Sequence, residues 1–254
     1  MFSKTVNLFQ VWNSKAKQYD KFLITEGDAY QQAINWPSIK RLLGNITDKN
    51  ILDSGCGNGL YTNIMKQDGG ITTGIDIASN FIAIAKERYP ETPFFEGDIM
   101  KSMPFEAGSF DIIVSKMVLM DIPSIEKPVR DFARILKPGG VCVVSILHPV
   151  YPVFYMLKNK WTQTFTNKFP DMTSYFDETF TTAYYQHSKL ELPVWVRPLN
   201  RYINGFISEG FVLTNIEEPF LTESFLKDHP EYQDRKETPM TLNMRFEKAS
   251  LTLV

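Results

Sequence analysis

Three aspartates and a run of alternate glycines are the residues of this chain whose types and spacing could do chemistry. Asp53 closes a short apolar run, Ile51-Leu52, and Gly55, Gly57 and Gly59 follow at every second position. Glycine lets the chain turn sharply and brings bare backbone against a ligand where a Cβ would collide. Asp76 ends the run Gly70-Ile-Thr-Thr-Gly-Ile-Asp76, 21 positions after Gly55. That is close to the usual offset of about 20 for a carboxylate that accepts from ribose hydroxyls. Asp98 lies at the end of a third run, Pro93-Phe-Phe-Glu-Gly-Asp-Ile99. Ionised carboxylates only accept hydrogen bonds, so these acids suit hydroxyl, amino and ammonium donors. A dinucleotide loop reads G-x-G-x-x-G and aims helix amides at a pyrophosphate. Here the loop is D-x-G-x-G-x-G, and Asp53 would repel a pyrophosphate but suit a ligand carrying an amino-acid cation.

The elements that must hold these residues can be read from periodicity. Ile51-Leu52 running into Asp53, Gly70–Asp76 and Pro93–Ile99 read as strands, and Leu60–Lys66 as the start of a helix after the glycine loop. Phe110-Asp-Ile-Ile-Val-Ser115 is a fourth strand. An apolar helix through Val129, Phe132, Ala133, Ile135 and Leu136 leads by Lys-Pro-Gly-Gly140 to a fifth, Val141–Leu147. Apolar strands alternating with helices predict an open α/β sheet whose ligand sits at the carboxyl ends of the strands.

Over residues 45–147 this arrangement resembles the class I S-adenosylmethionine-dependent methyltransferases, in the small-molecule branch of type 11 and ubiquinone-biosynthesis-like enzymes. The resemblance implies a Rossmann-like sheet of seven strands, mostly parallel with one antiparallel strand, and helices on both faces. It implies S-adenosylmethionine as cofactor and S-adenosylhomocysteine as product. In its terms Asp53 and the loop of Gly55, Cys56 and Gly57 meet the amino-acid head, and Asp76 takes both ribose hydroxyls with Ile77 against one adenine face. Asp98 meets the adenine amino group beside the Ile99 amide. The pattern Trp12-x-x-x-Ala16-x-x-Tyr19-Asp20 resembles the lid helix of such enzymes, whose tyrosine closes over the methionine end. Ser115, Lys116, Met117 and Met120 should line the reaction centre. Related enzymes often carry histidine at the Met120 position, which removes one candidate base. His148, just after the fifth strand, is the remaining candidate general base. His187 and His229 have no partners by spacing, and no Cys/His/Asp cluster suggests a metal.

Outside that core the chain divides into residues 1–44, read as helices forming an N-terminal lid, and residues 148–198, an aromatic-rich insertion after the fifth strand. No clean strand or helix is legible in 148–198. An aromatic cover over the strand ends suits a small-molecule pocket, with Tyr151 and Tyr155 among its candidate lining residues. The alternative is an aromatic patch packed on itself or on a second copy of the chain as a homodimer. Residues 199–254 return to regular structure, with a helix over Leu199–Gly210 and strands over Phe211–Glu218 and Met240–Lys248 that complete the sheet.

Composition narrows the function classes. The chain has 254 residues with 43% hydrophobic, 22% charged and a net charge of −2, which gives no electrostatic reason to expect nucleic acid or an anionic membrane as partner. No run reaches the length of a membrane span, and Met1–Asn7 lacks the pattern of a signal peptide. Cys56 and Cys142 are the only cysteines; two strands apart in the expected sheet, roughly 9–10 Å, they lie beyond disulfide reach. Reduced thiols and a cytoplasmic setting follow. Cys56 reads as small-residue packing or as a redox nucleophile.

The leading reading is methyl transfer to a small-molecule acceptor by in-line displacement, driven mainly by positioning. A nucleic-acid methyltransferase would carry an (Asn/Asp/Ser)-Pro-Pro-aromatic run after the fourth strand to grip a flipped base, and Ser115-Lys-Met-Val118 has none. The alternative from another class is a non-catalytic cofactor-binding subunit or scaffold partner of another enzyme.

Overall fold

The computed structural model describes residues 6–25, 27–152, 175–176, 178–185 and 188–250. Seven strands form one sheet: β1 (Asn50–Ser54), β2 (Ile71–Asp76), β3 (Phe94–Glu96), β4 (Phe110–Lys116), β5 (Leu136–Leu147), β8 (Phe211–Glu217) and β9 (Thr241–Lys248). Their order is β3-β2-β1-β4-β5-β9-β8, and β9 runs antiparallel to both of its neighbours while the rest are parallel. The sheet is therefore of the expected class, with its single antiparallel strand next to the edge.

Both faces of this sheet are covered, as parallel strands require. Alternate side chains point to opposite faces. Ile51, Ile112, Val114 and Val143 pack with Trp36, Ile39, Leu42 and Leu43 of helix α2 (Trp36–Leu43). Leu52, Ile113, Cys142 and Val144 go the other way, into the core shared with α5 (Glu126–Ile135) and α6 (Leu199–Ile207). There Phe206 of α6 stacks on Phe246 of β9 at 4.1 Å, and burying such a ring stabilises by about 2–3 kcal/mol. Helices α3 (Leu60–Gln67) and α4 (Ser79–Arg88) follow β1 and β2.

Several boundaries differ from the sequence reading. β3 is only three residues, Phe94–Glu96, so Asp98 lies in the loop beyond it. β5 begins at Leu136 and runs through the Pro-Gly-Gly segment, because Leu136 pairs with Phe110 before a register shift lets Val141 pair with Ile112. The stretch 148–198, in which no regular element was legible, contains a hairpin of β6 (Thr179–Tyr185) and β7 (Leu190–Val196), turned by Lys189 at φ 54°. Its faces alternate poorly in polarity, since Thr and Tyr occupy both, and that hid the period. Between the last two strands lie α7 (Glu223–Asp228) and a short 3-10 helix (Pro230–Arg235).

The N-terminal segment is helical as expected: α1 (Leu8–Thr25), then a π-helical turn (Gln31–Asn35) leading directly into α2. A buried polar network fastens this turn to the sheet. Asn35 Nδ2 donates to Ser145 Oγ (3.1 Å) on β5, and Asn35 Oδ1 accepts from Thr241 Oγ1 (3.0 Å) and Asn243 Nδ2 (2.9 Å) on β9. Tyr30 shares a 2.7 Å hydrogen bond with Thr241. Buried hydrogen bonds of this kind fix one arrangement, so the turn holds Gln31 at a set place over the strand ends.

Candidate functional site

Two chambers open at the carboxyl ends of the strands, one of about 150 Å³ beside the glycine loop and one of about 320 Å³ lined by tyrosines. They share a wall made of Trp12, Tyr19, Gln31, Lys116, Met117 and Asp121.

The first chamber is built from the ends of β1, β2 and β3. Gly55 and Cys56 donate their N–H groups to the Ile75 carbonyl (2.8 and 3.0 Å), which lays the loop across the end of β2. Gly55 adopts φ 80°, and a Cβ on it would stand 2.3 Å from Val118 Cγ2, so only glycine lets the two loops approach. Asp76 accepts from the Gly57 N–H with Oδ2 (2.9 Å) and from the Ala78 N–H with Oδ1 (2.8 Å). Asp53, buried at the strand end, accepts from Thr62 Oγ1 at 2.6 Å. Burial raises the Asp53 carboxyl to about 6, against the pull of the Thr62 hydroxyl and the Lys116 charge. Burial likewise raises Asp76, partly offset by its amide donors. Asp98 accepts from the Met100 N–H (2.9 Å) and lines the chamber with Ile77 and Ile99.

Where the two chambers meet, the backbone itself is unusual. Met117 has φ 56°, a left-handed conformation that side-chain-bearing residues adopt rarely and at a cost. Its N–H is held by the Ser145 carbonyl at 2.7 Å. The turn sends the chain out of β4 between the chambers, so that Lys116, Met117 and Asp121 face both. The Lys116 ammonium lies 4.1 Å over the Tyr61 ring. Burial lowers Lys116 to about 8, offset by Asp28 and Asp53.

The second chamber draws its walls from distant segments: Asp28, Tyr30, Met120, Tyr151, Tyr185 and Tyr232 among others. The hairpin closes it. Trp195 of β7 donates its N–H to the Met120 carbonyl (2.7 Å), and Gln18 of α1 donates to the Ser188 carbonyl (3.2 Å). Arg197, 3% exposed, donates to the carbonyls of Leu119 (3.0 Å) and Ile122.

Of the residues singled out from sequence, the structure brings Tyr19, Asp53, Gly55, Cys56, Gly57, Asp76, Ile77, Asp98, Ile99, Lys116 and Met117 to the first chamber. Met120 and Tyr151 line the second. Two expectations are corrected. Ser115 is fully buried on the opposite face of β4 from Lys116, lines neither chamber, and leaves its Oγ without a hydrogen-bond partner. His148 also lines neither chamber: the Val150 N–H donates to its Nδ1 (3.2 Å) and its Nε2 meets Glu218 Oε1 at 2.7 Å. With Nδ1 accepting, Nε2 carries the proton, and no ring lone pair is left to act as a base. Burial also lowers the His148 pKa, against the pull of Glu218. Tyr155 and His187 lie outside the described residues. His229, expected to have no partner, stands 3.4 Å from Glu231 and lines the second chamber.

Sequence reasoning missed Asp121, Asp28 and Gln31. Asp121 had a signal, since it lies in the loop after β4 where such sheets bind ligands; Asp28 and Gln31 had none, because only the fold brings them there. Both cysteines are free and buried, and Cys56 packs with Ile82, Ala85 and Phe94. Among the described residues no group of three or more His, Cys, Asp or Glu side chains could hold a metal, and no helix is long and apolar enough to cross a membrane.

Comparison with known proteins gives this geometry its context. Residues 52–144 match the family described as a methyltransferase domain. A demethylmenaquinone methyltransferase of Lactococcus lactis subsp. lactis is 30% identical over 178 residues, covering 66% of this chain and 68% of the relative. One from Chlorobaculum tepidum is 28% identical over 168 residues, covering 65% and 68%. Among solved structures, an S-adenosylmethionine-dependent methyltransferase from Mesorhizobium loti superposes with a TM-score of 0.70 at 22% identity, covering 87% of this chain and 99% of that one.

Proposed function

We propose that this chain, which belongs to the class I S-adenosylmethionine-dependent methyltransferase family, transfers the methyl group to a flat, largely apolar small-molecule acceptor. S-adenosylmethionine supplies a methyl on a sulfonium, an already activated donor, and leaves as S-adenosylhomocysteine. The single observation that carries the reading is the shared wall: an acid-and-glycine chamber and an aromatic chamber meet at Lys116, Met117 and Asp121.

The first chamber fits the cofactor. A Cβ on Gly57 would meet nothing within 4 Å, so the loop leaves open space beside its backbone. Asp53 commits one oxygen to Thr62, leaving the other for the ammonium of the amino-acid head, with Cys56 packing behind Gly55 and Gly57. Asp76 keeps lone pairs for the ribose hydroxyls after accepting two amides, and Ile77 offers an apolar face to the adenine. Asp98 accepts from the adenine amino group beside Ile99. Tyr19, half-buried between Trp12 and Phe81, closes the chamber where the methionine end lies. On this reading residues 45–147 hold the cofactor, residues 1–44 and 148–198 cover the acceptor, and residues 199–254 complete the sheet. The work falls to positioning and to exclusion of water, with Met117 and Met120 as apolar walls around the reacting atoms and no part for His148. Reduced Cys56 and Cys142 agree with a cytoplasmic setting.

Calorimetric titration of S-adenosylhomocysteine into the wild type and Asp76→Ala tests this. The expected wild-type affinity is micromolar, about −8 kcal/mol, weakened about 100-fold or more in the variant. A folded wild type that binds none would sink the reading.

A further inference from the structure

The loop after β4 carries one carboxyl group for which the described residues supply no partner. Asp121 is 7% exposed and faces both chambers. Its N–H bonds to the Val118 carbonyl at 2.8 Å, but its side chain has no hydrogen bond or ion pair among the described residues. Other ionisable groups of the second chamber have an acid or a base close by. Lys116 feels Asp28 and Asp53, Arg235 lies 3.6 Å from Asp234, and His229 lies 3.4 Å from Glu231. Asp121 is left over, and burial alone holds its carboxyl well above the usual range. A carboxylate taken out of water is costly unless a cation or strong donor meets it.

The position is built rather than accidental. Trp195 and Arg197 fix the carbonyls of Leu119, Met120 and Ile122, which leaves residue 121 little freedom. Aromatic rings line the same chamber: Tyr19 and Tyr185 are pushed up by burial first, and the charges of Asp28 and Asp121 add to it. Tyr30, Tyr151 and Tyr232, all buried, extend the wall.

We propose that the second chamber takes an amine on a flat apolar body, with Asp121 holding the nitrogen where the two chambers meet. The proposal rests on the methyltransferase reading and names the acceptor class for it. A hydroxyl would satisfy Asp121 by a hydrogen bond alone, whereas an ammonium gains both the carboxylate and the ring faces. Asp121 takes a proton from the bound ammonium and frees the nitrogen lone pair. That pair forms the N–C bond as the S–C bond breaks, its electrons staying on sulfur. Positive charge thus moves from sulfur to nitrogen, beside the rings, and the proton leaves Asp121 for solvent.

The test uses 2-phenylethylamine, tryptamine and the neutral isostere 2-phenylethanol, titrated into full-length protein saturated with S-adenosylhomocysteine. The expected result is that the amines bind at least tenfold more tightly than the alcohol, and that Asp121→Asn loses at least tenfold in amine affinity. The variant is titrated at S-adenosylhomocysteine concentrations that saturate it, and its circular dichroism spectrum and thermal unfolding show that it is folded. The proposal is overturned if the alcohol matches the amines, if neither amine binds the wild type, or if the folded variant binds them equally well. Should Asp121→Asn fail to fold, the comparison of amine with alcohol on the wild type decides alone. Failure of the wild type to bind S-adenosylhomocysteine is a different result and strikes the methyltransferase reading instead.

Discussion

The two chambers share a wall but are built in opposite ways. The glycine-loop chamber takes most of its polar groups from three strand ends close together in sequence: residues 53–58, 76–77 and 97–99. Backbone amides and carboxylates dominate it, and Asp53, Asp76 and Asp98 are each held by a neighbouring N–H or hydroxyl. The tyrosine chamber gathers side chains from residues 27–31, 116–121, 147–151, 183–192 and 229–241, and contacts distant in sequence fix its Tyr30 hydroxyl and the hairpin that closes it. A site made of strand ends tolerates change only where backbone is not touching ligand. One made of side chains on scattered loops can be refitted to a new acceptor without disturbing the first, as function on loops over a rigid scaffold allows.

Variants should separate the two. The largest effect is expected for Gly55→Val, which places side-chain carbon 2.3 Å from Val118 Cγ2 at φ 80°. It should cost about 3 kcal/mol or more in unfolding free energy and at least 100-fold in S-adenosylhomocysteine affinity, read by denaturant titration and calorimetry. Retained affinity would mean that the loop does not carry the cofactor site. Arg197→Met should cost about 2–4 kcal/mol by orphaning the Leu119 and Ile122 carbonyls, yet change S-adenosylhomocysteine affinity less than about threefold at a temperature where the variant is folded. Equal losses at both chambers would erase the distinction between them.

Acidity offers a third handle. Asp53 titrates at about 6 in the free protein, and a bound ammonium favours its ionised form. Protonation therefore opposes binding: affinity for S-adenosylhomocysteine should fall about tenfold per unit below pH 6 and level off above pH 7. A flat profile between pH 5 and 7 would remove Asp53 from contact with the amino-acid head. The smallest effect is expected for His148→Gln, which keeps a donor for Glu218 outside both chambers. Stability should change by under about 1 kcal/mol and cofactor affinity not at all; a 100-fold loss of turnover would restore His148 to the chemistry.

The legible half of the site was legible for a physical reason. A strand that ends on an acid and turns through glycine has few other uses, so Asp53, Gly55, Gly57 and Asp76 could be placed from spacing. His148 was misjudged because position after a strand says where the backbone goes, not which way the ring turns. Glu218 and the Val150 N–H decided that. Ser115 failed on the pleat: its neighbour Lys116 faces the chambers, so Ser115 faces the core.

By itself, then, the sequence determined the sheet, its parallel core and the acids at its strand ends, because period and glycine spacing are local properties of the chain. Only the tertiary structure decided the tyrosine chamber, the turn at Met117 and the isolated Asp121. Those depend on a hairpin at 179–196 and a π-helical turn at 31–35 packing over residues they never neighbour in sequence.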